Sequence, residues 1–368
     1  MKVLAIVPSL RDTSPGQRFR LEQWEPILRE KGVEITYSPF ETEELRRILH
    51  QDGNTLQKIR TVIRNMNRRR SEVRSFKDFD LVYVFREASL LGPAWFERSL
   101  ARSGIPMVFD FDDAIFHAYR SPSNGYLSYL KFPRKTGEIC KLSTHVMAGN
   151  QYLADYAAQF NKNVTIVPTT IDTEKYRVVE KKDSETVTIG WSGSFSTVQH
   201  LDTIRDVLQK LARQEKFRLR VIGTSNYELS GVDIEPLEWK SETEIEDLQK
   251  IDIGLMPLPD EQWSKGKCGL KALQYMALGI PTVCSPVGVN STIIQDGENG
   301  FLADGADEWI EKITRLIHSA ELRKKLGMAG RKTVEESYSA KSQAPRVFEI
   351  FDRLLSEKKL RAAETAAV

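Results

Sequence analysis

Two lysines four positions apart, Lys267 and Lys271, bracket a glycine in the run Lys267-Cys-Gly-Leu-Lys271. Behind them Leu270, Leu273, Met276 and Ala277 recur at helical spacing. Gly279 then sits where a helix end favours a left-handed residue, and Pro281 prevents the helix from resuming. The lysines therefore flank a helix start, where unpaired backbone N–H groups and the macrodipole already favour an anion. Two cations beside Gly269 make a seat for a diphosphate. A second candidate is Ile189-Gly-Trp-Ser-Gly-Ser-Phe-Ser-Thr197, a strand running into a loop of small residues. Gly193 lets the backbone approach a ligand, while Ser194, Ser196 and Thr197 either cap the next helix or donate to phosphate oxygens. No Gly-Lys-Ser/Thr follows and no full G-x-G-x-x-G is present, so this is neither a Walker loop nor a dinucleotide fingerprint.

The first half offers other groups. Arg18 and Arg20 follow Ser14-Pro-Gly-Gln17 just past the first strand, and Arg86-Glu87 closes another strand. Arginines there suit bidentate contacts to an acceptor or to phosphates, or else they are solvated residues of a first helical turn. Asp110, Asp112 and Asp113 stand at a strand end, where three carboxylates could hold Mg²⁺ or Mn²⁺. His117, among five histidines, either orients a ligand or is a packed surface residue.

These residues need elements to hold them. Short β-rich runs alternate with helical patterns throughout, the signature of parallel α/β layers. Strands are expected at 2–8, 33–38, 81–86, 106–111, 145–149 and 164–167, then at 186–191, 217–223, 232–236, 252–256 and 281–284. Helices are expected at 17–31, 42–50, 54–74, 93–103, 126–141 and 151–160, then at 197–214, 242–250, 267–278, 306–318, 320–336 and 341–362. The pattern predicts two Rossmann-like doubly wound parallel-sheet domains with a cleft between them, ligands lying outside the carboxyl ends of the strands. The boundaries read as 1–170, a polar linker 171–185, and 186–340. The Ala-rich end, 362–368, is expected to fray.

A chain of 368 residues suits two such domains, and 40% hydrophobic with 28% charged residues fits a globular protein. No apolar run approaches the roughly 20 residues that span a bilayer, and the first residues read as a strand too short for a signal peptide. Cys140, Cys268 and Cys284 give no zinc spacing or disulfide framework, so a reducing cytoplasm is expected. The net charge of +2 hides +6 over residues 1–170 and −4 over the rest. Much of the excess is in Lys58, Arg60, Arg64, Arg68, Arg69, Arg70, Arg74 and Lys77, around an apolar stripe of Leu56, Ile59, Ile63 and Met66. That pattern over 54–77 predicts either an anionic membrane surface as partner or a solvated helix. No aromatic interleaving accompanies it, so nucleic acid is not expected.

The run from Lys267 to Gly288 resembles the donor-binding motif of GT-B-fold glycosyltransferases, in particular the large retaining family 4. Asp296-Gly-Glu-Asn-Gly-Phe-Leu302 is similar to that family's turn after the donor site, and Val167-Pro-Thr-Thr-Ile-Asp172 to its interdomain crossing. The resemblance implies an acceptor-binding first domain, a donor-binding second domain, and a last helix (341–362) that packs back on the first. It implies transfer of a hexose from a nucleoside-diphosphate sugar to a glycan or lipid-linked acceptor, retaining and metal-independent, without a cofactor. It also implies a role in cell-surface polysaccharide or glycoconjugate synthesis, in the cytoplasm or peripheral on the inner face of the membrane. Lys267, Lys271 and His117 would be catalytic. Gly193, Ser194, Thr197, Cys268, Gly269, Leu270 and Gln274 would bind the donor, and Arg18, Arg20, Arg86, Asp112 and Asp113 the acceptor. In relatives with a similar Asp-Phe-Asp-Asp run this segment lies in the acceptor domain, Asp112 or Asp113 acting as a helix cap or hydroxyl ligand. Asp110-Phe-Asp112 also matches the metal-binding D-x-D of GT-A enzymes, which makes a metal-dependent transferase one alternative. The other follows from a departure: the family's glutamate pair falls on Gly266 and Gln274, so a weak or inactive sugar-nucleotide-binding protein is also consistent.

Overall fold

The computed structural model describes residues 1–49, 55–89, 91–117, 132–180, 186–194 and 197–366. Ser196, the 126–131 part of the sixth expected helix and the 181–185 part of the expected linker lie outside these. The chain divides into two compact units, Met1–Pro168 with Gln343–Val368, and Thr169–Ser342.

The first unit holds β1 (Lys2–Val7), β2 (Glu34–Pro39), β3 (Leu81–Phe85), β4 (Met107–Phe111), β5 (His145–Ala148) and β6 (Val164–Ile166). They form one sheet in the order β2-β1-β3-β4-β5-β6, every pair parallel. β3 and β4 are buried at every position because helices cover both faces, which is why they read as unbroken apolar runs. The order reverses at β1, so the topological switch point lies between β1 and β3. The last helix contributes Val347, Phe351 and Leu354 to this unit's core, Phe351 meeting Tyr83 edge-on at 6.3 Å. That helix runs from Ala340 to Ala366, past the expected end at 362.

The second unit holds β7 (Val187–Ser192), β8 (Phe217–Ile222), β9 (Asp233–Leu237), β10 (Ile253–Met256), β11 (Thr282–Cys284) and β12 (Phe301–Leu302). The order is β12-β11-β10-β7-β8-β9, again all parallel. Read from β9 this is the 3-2-1-4-5-6 order of dinucleotide-binding sheets, with its switch point between β7 and β10. Residues 171–176, the start of the expected linker, are packed into this unit. Tyr176 is buried, Ile171 bridges Ser339, and Arg331 donates to the carbonyls of Thr173 and Tyr176.

Three expected helices differ. The helix over 17–31 starts at Pro15 and breaks at Arg20, whose φ of −126° and ψ of −106° are not helical. The helix over 197–214 is two pieces, Gln199–Asp202 and Arg205–Ala212, separated at Ile204 (φ −115°, ψ 20°). The helix over 267–278 begins only at Leu270, because Gly269 is left-handed at φ 71°. A Cβ at Gly269 would lie 2.3 Å from Ile293 Cδ1, so both its angle and the packing require glycine. β12 was not expected at all; two residues after a turn carry no period.

Candidate functional site

In the second unit the expected residues gather at the carboxyl end of β7. Trp191, the penultimate residue of that strand, is fully buried, and the Lys271 ammonium stands 4.2 Å from its ring centroid. Lys267 lies over Trp263 at 4.9 Å. Cation–π contact holds both ammonium groups near the start of helix Leu270–Ala277, whose first N–H groups have no intrahelical acceptor. The helix itself is pinned to β7: the Ser192 N–H donates to Tyr275 Oη at 2.7 Å. Gly254 on β10 makes room for that tyrosine, since a Cβ there would fall 2.4 Å from Tyr275 Cδ2. Enclosure, together with the neighbouring Lys267 charge, lowers the Lys271 pKa to about 7. A half-buried lysine held beside another lysine makes an electropositive spot suited to an anion.

The loop after β7 lies against the same indole. A Cβ on Gly193 would come 2.3 Å from Trp191 Cη2, and a Cβ on Gly223 would come 2.2 Å from the Gly193 carbonyl oxygen. Thr197 Oγ1 accepts from the Ser194 N–H at 3.0 Å, and the Thr197 N–H donates to the Ser194 carbonyl at 2.8 Å. Thr197 thus shapes the loop, while Ser194 is exposed. Cys268 is buried with its Sγ toward the Gly266 carbonyl, and Leu270 is half-buried.

Gln274 faces inward. It is 4% exposed, and its Nε2 donates to Glu244 Oε1 at 3.2 Å and to Tyr176 Oη at 3.3 Å. Glu244, equally buried, also accepts from Tyr176 Oη and Trp239 Nε1. The Gln274 amide nitrogen is therefore engaged within the fold.

Sequence reading missed His200. It is 5% exposed on the short helix after the loop, and burial and the charges of Lys271 and Lys267 lower its pKa to about 4. Nothing local distinguishes it; only the fold brings it under the influence of lysines some seventy residues on.

The first unit corrects two expectations. Arg20 is fully buried: its Nε and Nη2 bind Asp110 Oδ2 and Oδ1 at 2.7 and 2.5 Å, and Nη1 donates to the Val167 carbonyl. Tyr83 Oη also donates to Asp110. Arg20 is thus a core ion pair rather than a ligand contact. Asp110, with both oxygens engaged by Arg20 and Tyr83, is not placed to share a cation with Asp112. Asp112 instead accepts from Arg86 Nε at 2.7 Å. Arg86 follows β3 directly in the left-handed region, at φ 58°, a conformation that costs free energy in a residue with a side chain. Gly16 packs on this pair, as a Cβ there would lie 2.5 Å from Asp112 Oδ2. Arg18 Nε pairs with Asp12 Oδ1 at 2.7 Å. Asp113 accepts from its neighbour's N–H, and residues 115–117 form a turn, so neither aspartate caps a helix there. His117 Nε2 lies 2.8 Å from Tyr152 Oη, and burial lowers its pKa. The Gly16–Arg86–Asp112 group thus marks this unit's own switch point, while His117 lies farther along the chain after β4.

The basic helix also differs from expectation. Over Thr55–Glu72 the inward face is mixed: Thr61, Asn65 and Arg69 are buried, and Val62 and Met66 pack against Phe40, Leu45 and Ile48. Arg69 donates to the carbonyls of Ser38 and Ala88 and pairs with Glu72, and burial lowers its pKa to about 10. Arg68 donates to the Pro39 and Phe40 carbonyls. Leu56, Ile59 and Ile63 are outward, 73%, 45% and 53% exposed. No helix among the described residues is long and apolar enough to cross a membrane.

Comparison with known proteins bears on the fold and on residues 172–333. Residues 172–333 match the family model described as glycosyl transferases group 1. A 67-residue stretch is 40% identical to the putative glycosyltransferase EpsD of Bacillus subtilis, spanning 18% of each chain. In fold, 97% of the chain superposes on all of sucrose-phosphate synthase from Thermosynechococcus elongatus, with TM-score 0.70 and 13% identity. Similarly, 96% superposes on all of Anabaena HepE in complex with UDP and glucose, with TM-score 0.65 and 13% identity. The chain therefore has the GT-B glycosyltransferase fold, and its residues 172–333 match the group 1 glycosyl transferase family.

Proposed function

We propose that this protein is a glycosyltransferase that moves a hexose from a nucleoside-diphosphate sugar to a glycan or lipid-linked acceptor. The observation that carries the reading is Lys271, on the first turn of helix Leu270–Ala277, stacked on Trp191 at the switch-point strand β7. As the glycosidic bond breaks, negative charge develops on the leaving diphosphate, and fixed cations there stabilise the transition state more than the ground state. In this reading Lys271, Lys267, the Gly193–Ser194 backbone and the amides around Gly269, including those of Cys268 and Leu270, receive the diphosphate. The first unit's Arg18, Arg86, Asp112, Asp113 and His117 serve the acceptor. HepE, solved with UDP and glucose, supports a nucleotide-sugar donor. Retention, independence of metal and a role in surface polysaccharide synthesis belong to the same proposal.

The test is binding and turnover by a panel of nucleotide sugars, with EDTA present. Each charge-assisted contact contributes roughly 1.5–3 kcal/mol, so Lys271→Ala should weaken nucleoside-diphosphate binding at least about tenfold. Unchanged affinity in both Lys267→Ala and Lys271→Ala would remove the assignment. Loss of activity in EDTA, restored by Mn²⁺, would overturn metal independence. Because Gln274 is turned into the fold, a sugar-nucleotide-binding protein without turnover is the second reading, and binding without transfer or hydrolysis would favour it.

The outward Leu56, Ile59 and Ile63, beside Arg60, Arg64 and Arg70, support docking of the first unit on anionic lipid, which suits a lipid-linked acceptor.

A further inference from the structure

His200 is a buried imidazole whose Nδ1 has no hydrogen-bond partner among the described residues, and the same holds for the Trp191 indole N–H beneath Lys271. Buried polar groups are nearly always paired, so the orphaned His200 Nδ1 calls for a partner that the free protein does not supply. The place is defined. His200 follows the Gly193–Ser194 loop, Trp191 packs under that loop, and the charges acting on His200 are Lys271 and Lys267, both positive. We infer that His200 is a phosphate contact of the donor site and becomes a cation only when the diphosphate is bound, so that ligand and proton enter together. This deepens the nucleoside-diphosphate reading above and rests on it.

The electrostatics give the direction. In the free protein burial, and then the two ammonium groups, keep the imidazole neutral, with a pKa of about 4. Lys271, enclosed and beside Lys267, is itself lowered to about 7. A diphosphate brings negative charge among them and reverses the sign of the local field, so both pKa values rise on binding. The proton comes from solvent and binds the imidazole nitrogen that faces the phosphate. The two groups respond in different windows. Near pH 8 uptake belongs to Lys271, which is then largely neutral in the free protein. Near pH 6 Lys271 is already charged, and uptake belongs to His200.

The experiment is calorimetric titration of the full chain with UDP, and with ADP and GDP in parallel, at pH 6 and pH 8 in buffers of low and high ionisation enthalpy. The nucleotide's own phosphate ionisation, with pKa about 6, cancels in the difference between wild type and His200→Gln. At pH 6 the wild type should take up close to one proton more than the variant and bind about tenfold more tightly; at pH 8 the two should agree within about twofold. Equal proton uptake at pH 6 overturns the inference. Should His200→Gln fail a near-UV circular dichroism check of its fold, wild type alone decides, and zero uptake at pH 6 after subtracting the ligand's ionisation overturns it. Absence of binding by all three nucleotides overturns the donor-site reading itself, whereas binding without uptake overturns only the role of His200.

Discussion

Gln274 shows how one residue's chemistry is set by a neighbour far away in sequence. A glutamate there would put a second carboxylate within about 3.2 Å of Glu244, in a pocket where both positions are 4% exposed. Two buried carboxylates at that distance cannot both ionise cheaply, whereas an amide donates and costs nothing in charge. Gln274→Glu should therefore destabilise the second unit by about 2–4 kcal/mol at pH 7. The loss should shrink as pH falls and the raised carboxyl takes up a proton. Combining it with Glu244→Gln should recover most of the stability. Urea unfolding of the single and double variants measures this, and a single variant as stable as wild type would show that the pair is not coupled. Gly266 and Gln274 are visible in the sequence as missing acids, but Glu244 as the reason is not, because only folding brings residues 244 and 274 together.

At the scale of the element, helix Thr55–Glu72 departs from a simple hydrophobic-face argument. Its apolar stripe at positions 56, 59, 63 and 66 is legible from periodicity, yet only Met66 of it packs inward, with Val62 and alongside the buried Thr61, Asn65 and Arg69. The Arg69 guanidinium is taken up by carbonyls at Ala88 and Ser38, acceptors that no reading of the helix alone could assign. Arg68 and Arg69 are therefore structural, and only the outward cations can meet a surface. Replacing Leu56, Ile59 and Ile63 together by asparagine should leave stability within about 0.5 kcal/mol per site, since these side chains face solvent. The same change should release the protein from phosphatidylglycerol vesicles at low salt. Arg69→Gln should do the opposite, costing about 3 kcal/mol through unpaired buried acceptors. Co-sedimentation at about 0.1 and 1 M salt reads the contrast, because the Debye length falls from about 10 to about 3 Å. Wild-type protein that stays in the supernatant at low salt would remove the membrane reading.

Across the whole molecule, element type was the most legible property. Eleven of the strands announce themselves as short apolar runs between turn residues, while β12, two residues long, does not. Sheet order was not legible, since the pairing of β7 with both β8 and β10 joins residues far apart in the chain. The lysine pair was readable because it is local; its partners Trp191 and His200 were not, because they come from another βα unit. The buried histidines give a prediction at this scale. His145, 2% exposed in the first unit, accepts from Arg353 of the last helix and lies 3.0 Å from Thr165 Oγ1. Burial and the Arg353 charge lower its pKa to about 4, as burial and the lysines do for His200 in the second unit. Both folded values lie below the unfolded value of about 6.5. Between those limits the unfolded chain binds more protons than the folded one, so stability is undiminished above pH 6.5 and falls as pH drops toward 4. Buried carboxyls such as Glu97, whose pKa burial raises, act in the opposite sense, so the histidine effect is best isolated by difference. Thermal melts of wild type and His145→Gln between pH 7 and pH 5 should converge as pH falls, the variant losing less of its melting temperature because glutamine has no proton to bind. Parallel curves across that range would mean that His145 titrates alike in the folded and unfolded chain, and that the Arg353 contact leaves its charge state untouched.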